Sequence, residues 1–391
     1  MKLSKRISNV KPSATISITV RANELKKQGI HVISLAAGQP DFGTPDHIVS
    51  AAHAALDEGQ TRYTPSNGIP ALRTAIAEKF KRDNDLVYDS AQIVVSCGAK
   101  HSLYNIFQIL LDPGDEVIIP SPYWVSYPEM VILAEGKAVI LETAEKNNFK
   151  ITPDQLEKAL TSRTKAVVLN TPSNPTGMAY NANELAQLGA VVKARADVAV
   201  ISDEIYEDLT YGDYKHVSFA SAVPELYSRT FTVNGFSKTY SMTGWRLGYA
   251  GCPDHETADA IKRLQDQSTT GTTTFAQFGG IAALQQSQEC VAKMKKAFDE
   301  RRKFIVGALQ AIPGVSCLDP QGAFYVFPNI SAWGISSQEL AVRLLDEIHI
   351  AVVPGSAFGA EGYIRISFAT SMEELEEAVT RLKTWVAENV S

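Results

Sequence analysis

A chain of 391 residues is longer than one hydrophobic core usually supports, so two lobes are expected. With 45% hydrophobic residues, 20% charged residues and a net charge of −6, it is too apolar for disorder and lacks the basic excess of a nucleic-acid binder. Cys97, Cys252, Cys290 and Cys317 form no CxxC pair, and no run approaches a membrane span or an export signal, so buried thiols in a reducing cytoplasm are expected.

In chain order, a helix near 16–28 comes first. Seven β-branched runs follow: "QIVVS" from 92, "DEVIIP" from 115, "KAVIL" from 137, "KAVVLN" from 165, "VAVIS" from 198, "RTFTVN" from 229 and "WRLGYAG" from 245. Nearly every position in them is apolar, the pattern of strands buried on both faces. Helical periods lie between them at 98–111, 183–195 and 254–267, which predicts an α/β fold with a mostly parallel sheet covered by helices. The basic cluster "KMKKAFDERRK" at 293–303 reads as a solvated helix face. A helix near 336–347, the strands "IAVVP" and "YIRISFA", and a helix over 372–388 then predict a smaller α+β domain. The expected division is an N-terminal arm with part of the small domain over 1–42, a large domain over 43–295 and a small domain over 296–391.

Ligands in open parallel sheets bind beyond the carboxyl ends of strands, and here those ends are polar. "VAVIS" runs into Asp203 and Tyr206, "KAVVL" into Asn174, and "RTFTVN" into Ser237 and Lys238. Singly, each has a plainer reading: a helix cap, a turn former or a surface lysine. Together at three successive strand ends they fit a pyridoxal-phosphate site. A shielded lysine loses its proton near neutrality and forms a Schiff base with an aldehyde, the part given to Lys238. Asp203 can pair with a protonated pyridine nitrogen, while Asn174 and Tyr206 can donate to the ring oxygen. In "SCGAKHSLYNIF" a glycine opens a helix straight after a strand, so Gly98 and Ala99 offer N–H groups to a phosphate that Arg246 and Ser237 also grip.

The motifs "KPSATISI", "AAGQPDF", "YTPSNGIPALR", "SPYWVSYPEM", "NTPSNPTG", "SDEIYE", "FSKTYSMTGWRLGYA", "PQGAFYVF" and "IRISFA" span the chain. By them the sequence resembles the class I aminotransferases of pyridoxal-phosphate fold type I. It is most similar to the bacterial and plastid-type aspartate enzymes, some of which also act on prephenate. The resemblance implies a cytoplasmic homodimer with shared active sites that moves an amino group from aspartate to 2-oxoglutarate, with no membrane or nucleic-acid partner. It gives Lys238, Asp203, Asn174 and Tyr206 the roles read above and adds Trp124 as the aromatic stacked on the ring. It also implies that Tyr63 reaches the neighbouring subunit's phosphate, that Arg365 binds the substrate α-carboxylate, and that Gly38 offers its backbone to the same group. Strand alternation agrees, with Arg365 opposite the face of Ile364, Ile366 and Phe368.

Two departures stand out. Many relatives have a serine three residues before the lysine, where this chain has Gly235, and "QSTTGTTTFAQ" lacks the arginine that animal-type enzymes use for a distal carboxylate. Lys100 occupies the position that serves that task in the bacterial and plastid subgroup. Aminotransferases of aromatic or broader specificity share this machinery. A pyridoxal-phosphate-binding regulator is disfavoured, because the residues before Lys11 leave no room for a DNA-binding domain.

Overall fold

The computed structural model describes residues 3–12 and 14–390; Ser13, inside "KPSATISI", lies outside them. Strand β1 (Ile33–Ser34) precedes seven strands that share one sheet: β2 (Ile93–Ser96), β3 (Glu116–Ser121), β4 (Lys137–Glu142), β5 (Thr164–Asn170), β6 (Ala199–Asp203), β7 (Thr230–Gly235) and β8 (Gly248–Gly251). Their order is β2-β8-β7-β6-β5-β3-β4. Pairs from β4 to β7 are parallel, and β8 runs antiparallel to both β7 and β2.

Two-faced burial explains the apolar runs. Along β5, Ala166 and Val168 join one core with Val117, Ile119 and Ile201, while Val167 and Leu169 join the opposite core with Ile118 and Val200. The helix Ala99–Leu110 covers the first face through Leu103, Ile106 and Phe107, and Ala182–Lys193 covers the second through Leu185, Leu188 and Val192. β4 departs from the expected pattern: it has no fully buried residue and is an edge strand paired only with β3. The run "WRLGYAG" also shortens, since Trp245 closes a 3₁₀ turn and Arg246 adopts a left-handed φ of 53° before β8 begins.

The later strands are β9 (Tyr325–Val326), β10 (Ile350–Ala351), β11 (Val353–Pro354) and β12 (Ile364–Ser367). They form an antiparallel β11-β12-β9 sheet, while β1 pairs in parallel with β10, which brings the N-terminal segment into this lobe. The helices Glu289–Gln310, Ser337–Ile348 and Met372–Asn389 pack Phe298, Leu309, Leu340, Leu344, Leu375 and Trp385 into one core beside it. Their starts are fixed locally. Ser336 and Ser371 accept from the N–H groups of Glu339 and Glu374, each at 3.2 Å.

Two expectations need correction. Cys252 and Cys317 are buried, but Cys97 and Cys290 are only half-buried. Within 293–303, Arg302 is buried and ion-paired to Asp299 and Asp319, so that helix face is not wholly solvated. Among the described residues no helix is long and apolar enough to cross a membrane.

Candidate active site

A cleft of about 490 Å³ opens beyond the carboxyl ends of β5, β6 and β7. It is lined by Gly38, Ala99, Lys100, Trp124, Asn174, Asp203, Tyr206, Ser237, Lys238, Arg246 and Arg365, so most of the residues expected from sequence converge there. Gly98 sits just beneath, at the helix start. Tyr63 does not join them: it stands 93% exposed in the loop before the helix Pro70–Asn84.

Strand endings place the central groups. Asp203 ends β6 and is 4% exposed. Its Oδ2 accepts from the Tyr127 hydroxyl at 2.6 Å, and its Oδ1 accepts from the Ile205 N–H at 3.3 Å. Burial raises its carboxyl to about 6, against the pull of the Tyr127 bond. Lys238 lies in the turn that follows β7, and its Nζ donates to the Gly38 carbonyl while lying 5.8 Å from the Tyr206 ring centroid. Burial, together with the guanidinium groups of Arg365 and Arg246, lowers its ammonium to about 7. The free-amine form is therefore reached much closer to neutrality than in a solvated lysine.

Arg365 is 2% exposed on β12 and has no carboxylate partner among the described residues. One terminal nitrogen donates to Asn174 Oδ1 at 3.0 Å, the other to the Ala36 carbonyl at 2.8 Å, and its Nε is buried without a partner. Tyr325 and Phe358 lie under the guanidinium, with ring centroids at 4.4 and 5.1 Å. Its burial shows that this strand face is not a solvated one. A buried guanidinium held only by neutral acceptors is costly unless an anion completes it.

The phosphate end is shaped by close approach. Gly98 has φ +87°, and a Cβ there would come within 2.5 Å of an Arg246 nitrogen, so only glycine admits the guanidinium. Arg246 donates to the carbonyls of Thr243 (2.8 Å) and Cys97 (3.2 Å), while the first N–H groups of the helix, at Ala99 and Lys100, meet no acceptor among the described residues. Gly235 has a physical reason too: a Cβ there would lie 3.0 Å from Gly248 Cα, where β7 and β8 touch. Lys100 is exposed as a residue, but its ammonium lies 4.8 Å from the Trp124 ring centroid, and the partial desolvation there plus Arg246 lowers its pKa.

Among the described residues, four cationic side chains line the cleft with the single carboxylate of Asp203. The donor set fits a ligand carrying phosphate and carboxylate charge, with an apolar plate between Trp124 and the strands. Pyridoxal phosphate meets that chemistry: a phosphate for Arg246 and the helix start, an aldehyde for Lys238 and a ring nitrogen for Asp203.

Two side chains were missed from sequence. Tyr127 follows Trp124 at the i+3 spacing of one helical turn, a signal that could have paired them. Tyr325, in "PQGAFYVF", lies 3.1 Å from the Tyr206 hydroxyl through its own, which only the folded lobe reveals.

The model for class I and II aminotransferases matches residues 30–382. Aspartate aminotransferase of Geobacillus stearothermophilus is 53% identical over 390 residues, covering 98% of each chain. Aspartate/prephenate aminotransferase of Nitrosomonas europaea is 45% identical, covering 98% of this chain and 99% of that one. The crystal structure of the aspartate aminotransferase from Rhizobium meliloti superposes with a TM-score of 0.96 at 41% identity, over 100% of both chains.

Proposed function

This chain belongs to the class I and II aminotransferase family, and from that premise we propose that it transfers the amino group of L-aspartate to 2-oxoglutarate, giving oxaloacetate and L-glutamate. Prephenate is a further acceptor in this reading, in keeping with relatives named for both substrates. The family's cofactor is pyridoxal 5′-phosphate. When bound, it supplies an aldehyde that captures amines and a ring that takes up the electron pair released at the substrate Cα.

The chain's own residues do the rest. Arg365, itself buried at the cleft wall, would grip the substrate α-carboxylate with two N–H donors, fixing the orientation of the Cα bonds. Lys238 Nζ would take the Cα proton and deliver it across the amine nitrogen to the cofactor's aldehyde carbon, a task suited to an amine whose pKa is lowered to about 7. Asp203, held by Tyr127, would keep a negative charge at the ring nitrogen. Arg246, Ser237 and the N–H groups of Ala99 and Lys100 would hold the phosphate, Trp124 would lie against the ring, and Lys100 would meet the distal carboxylate of a dicarboxylic substrate.

The observation that carries this reading is the unpaired, buried Arg365 in the same cleft as Lys238 and Asp203. Further parts of it are a homodimer in which Tyr63 reaches the partner subunit's phosphate, and a division into lobes near 42 and 295. The exposure of Tyr63 supports the first. An amino-donor and keto-acceptor panel tests the function: aspartate and glutamate with 2-oxoglutarate and oxaloacetate are expected to react fastest. A phenylalanine preference over aspartate would replace this reading with an aromatic aminotransferase.

A further inference from the structure

The turns that leave β6 and β7, residues 205–208 and 237–240, meet behind the cleft floor. Each carries a group facing the cleft and a group facing away. Tyr206 and Lys238 face the cleft. Asp208 and Thr239 face the back, where Asp208 Oδ2 accepts from Thr239 Oγ1 at 2.9 Å. Among the described residues this is the one side-chain hydrogen bond that joins the two turns, and Thr239 is 3% exposed.

The first turn is itself braced. Lys79, 3% exposed on the helix Pro70–Asn84, donates to Glu207 and to Asn84 Oδ1 (2.7 Å), and Asn84 Nδ2 donates to Glu207 Oε2 (2.7 Å). Burial alone would lower the Lys79 ammonium, yet Glu207 and Asp208 hold it above its ordinary value. Glu204 is satisfied by Ser202, Ser218, the Phe219 N–H and His216, so the stretch 204–208 is tied on every side. Buried ionic groups give little net stability, but a fully paired set fixes geometry.

Lys238 has the opposite problem. It sits in a turn, outside any strand ladder or helix, on a flexible four-carbon stem, and a proton transfer is sensitive to small displacements of the amine. We propose that the Thr239–Asp208 bond, braced by Lys79, is a tether that positions Lys238 for proton transfer. The proposal rests on Lys238 being the working amine, as argued above.

The test uses the holoenzyme. Thr239→Val removes the hydroxyl at constant shape, Asp208→Ala removes the acceptor from the other side, and Thr239→Ser restores the bond. Three quantities are read: kcat and KM, the isotope effect with Cα-deuterated aspartate, and the absorbance pH titration of bound cofactor without substrate. The tether predicts kcat lower by about 10- to 100-fold in the first two variants, with KM within about twofold. It also predicts a larger isotope effect, a shifted titration midpoint, and recovery of all three in Thr239→Ser. Unchanged kcat, or loss of activity with an unshifted titration and isotope effect, overturns it. So does failure of both variants to fold, which would make the bond part of the fold's stability. Lys238→Ala separates the two claims: retained turnover there contradicts the part given to Lys238 in the proposed function, on which the tether rests, whereas a dead Lys238→Ala beside a normal Thr239→Val contradicts only the tether.

Discussion

Replacing Arg365 with methionine removes the guanidinium that lies over Tyr325 and Phe358 while keeping an unbranched apolar side chain beside them. In the free protein two effects oppose each other. The Asn174 and Ala36 acceptors lose their donors, and the cost of an unpaired buried cation disappears. The variant should therefore fold and keep its cofactor. Substrate binding has no such compensation, since the α-carboxylate would enter a site where Arg365 was 2% exposed and find no counter-charge. Truncating one partner of a desolvated charge pair costs about 2 to 5 kcal/mol, or roughly 30- to 4,000-fold in kcat/KM at about 1.4 kcal/mol per tenfold. Every amino-acid substrate has an α-carboxylate, so the loss should be similar for aspartate, glutamate and any aromatic donor that is accepted. The assay is kcat/KM for two donors at saturating cofactor, with the bound-cofactor absorbance as a folding control. A loss confined to dicarboxylic donors would refute the assignment and move Arg365 to the distal carboxylate.

Lys100→Ala gives the complementary pattern: because Lys100 is exposed, screening reduces its contribution, and aspartate should lose about 5- to 30-fold in kcat/KM while an aromatic donor hardly changes. Equal losses for both donors, with weaker cofactor retention, would instead make Lys100 a phosphate anchor. Mixing Lys238→Ala with Tyr63→Phe chains should produce hybrid dimers whose activity and cofactor retention differ from both parents, and full activity in a strictly monomeric protein would exclude the shared site. The lowered Lys238 pKa predicts that reaction of the apoprotein amine with the cofactor aldehyde rises with pH through about 7, since the neutral amine is the nucleophile; a rise only near the ordinary lysine pKa would show a solvated amine.

The strand ends were legible because a buried parallel sheet leaves a plain mark: apolar runs that stop at polar residues. Asp203, Asn174 and Lys238 each follow such a run and meet in one cleft. The direction of β8 was less visible, although no α-helix lies between Gly235 and Gly248, and a parallel return normally needs a crossover helix. That reversal puts Arg246, two residues before β8, beside the end of β7. The edge position of β4 could not be read from "KAVIL", since composition does not report how many neighbours a strand has. Tyr325 and the Ala36 carbonyl come from distant segments, and only β1 pairing with β10 and the β9-β12 ladder bring them to Arg365. The Lys79–Glu207 pair was equally invisible, joining residues 128 positions apart.

The central claim is that Lys238 is the amine that holds the cofactor and moves the proton. Borohydride reduction of the loaded protein, followed by peptide mapping, tests it most directly. The account predicts a single pyridoxyl group, attached to Lys238, and its disappearance in Lys238→Ala together with transamination. A pyridoxyl group on any other lysine of the wild-type chain, Lys100 included, would contradict it.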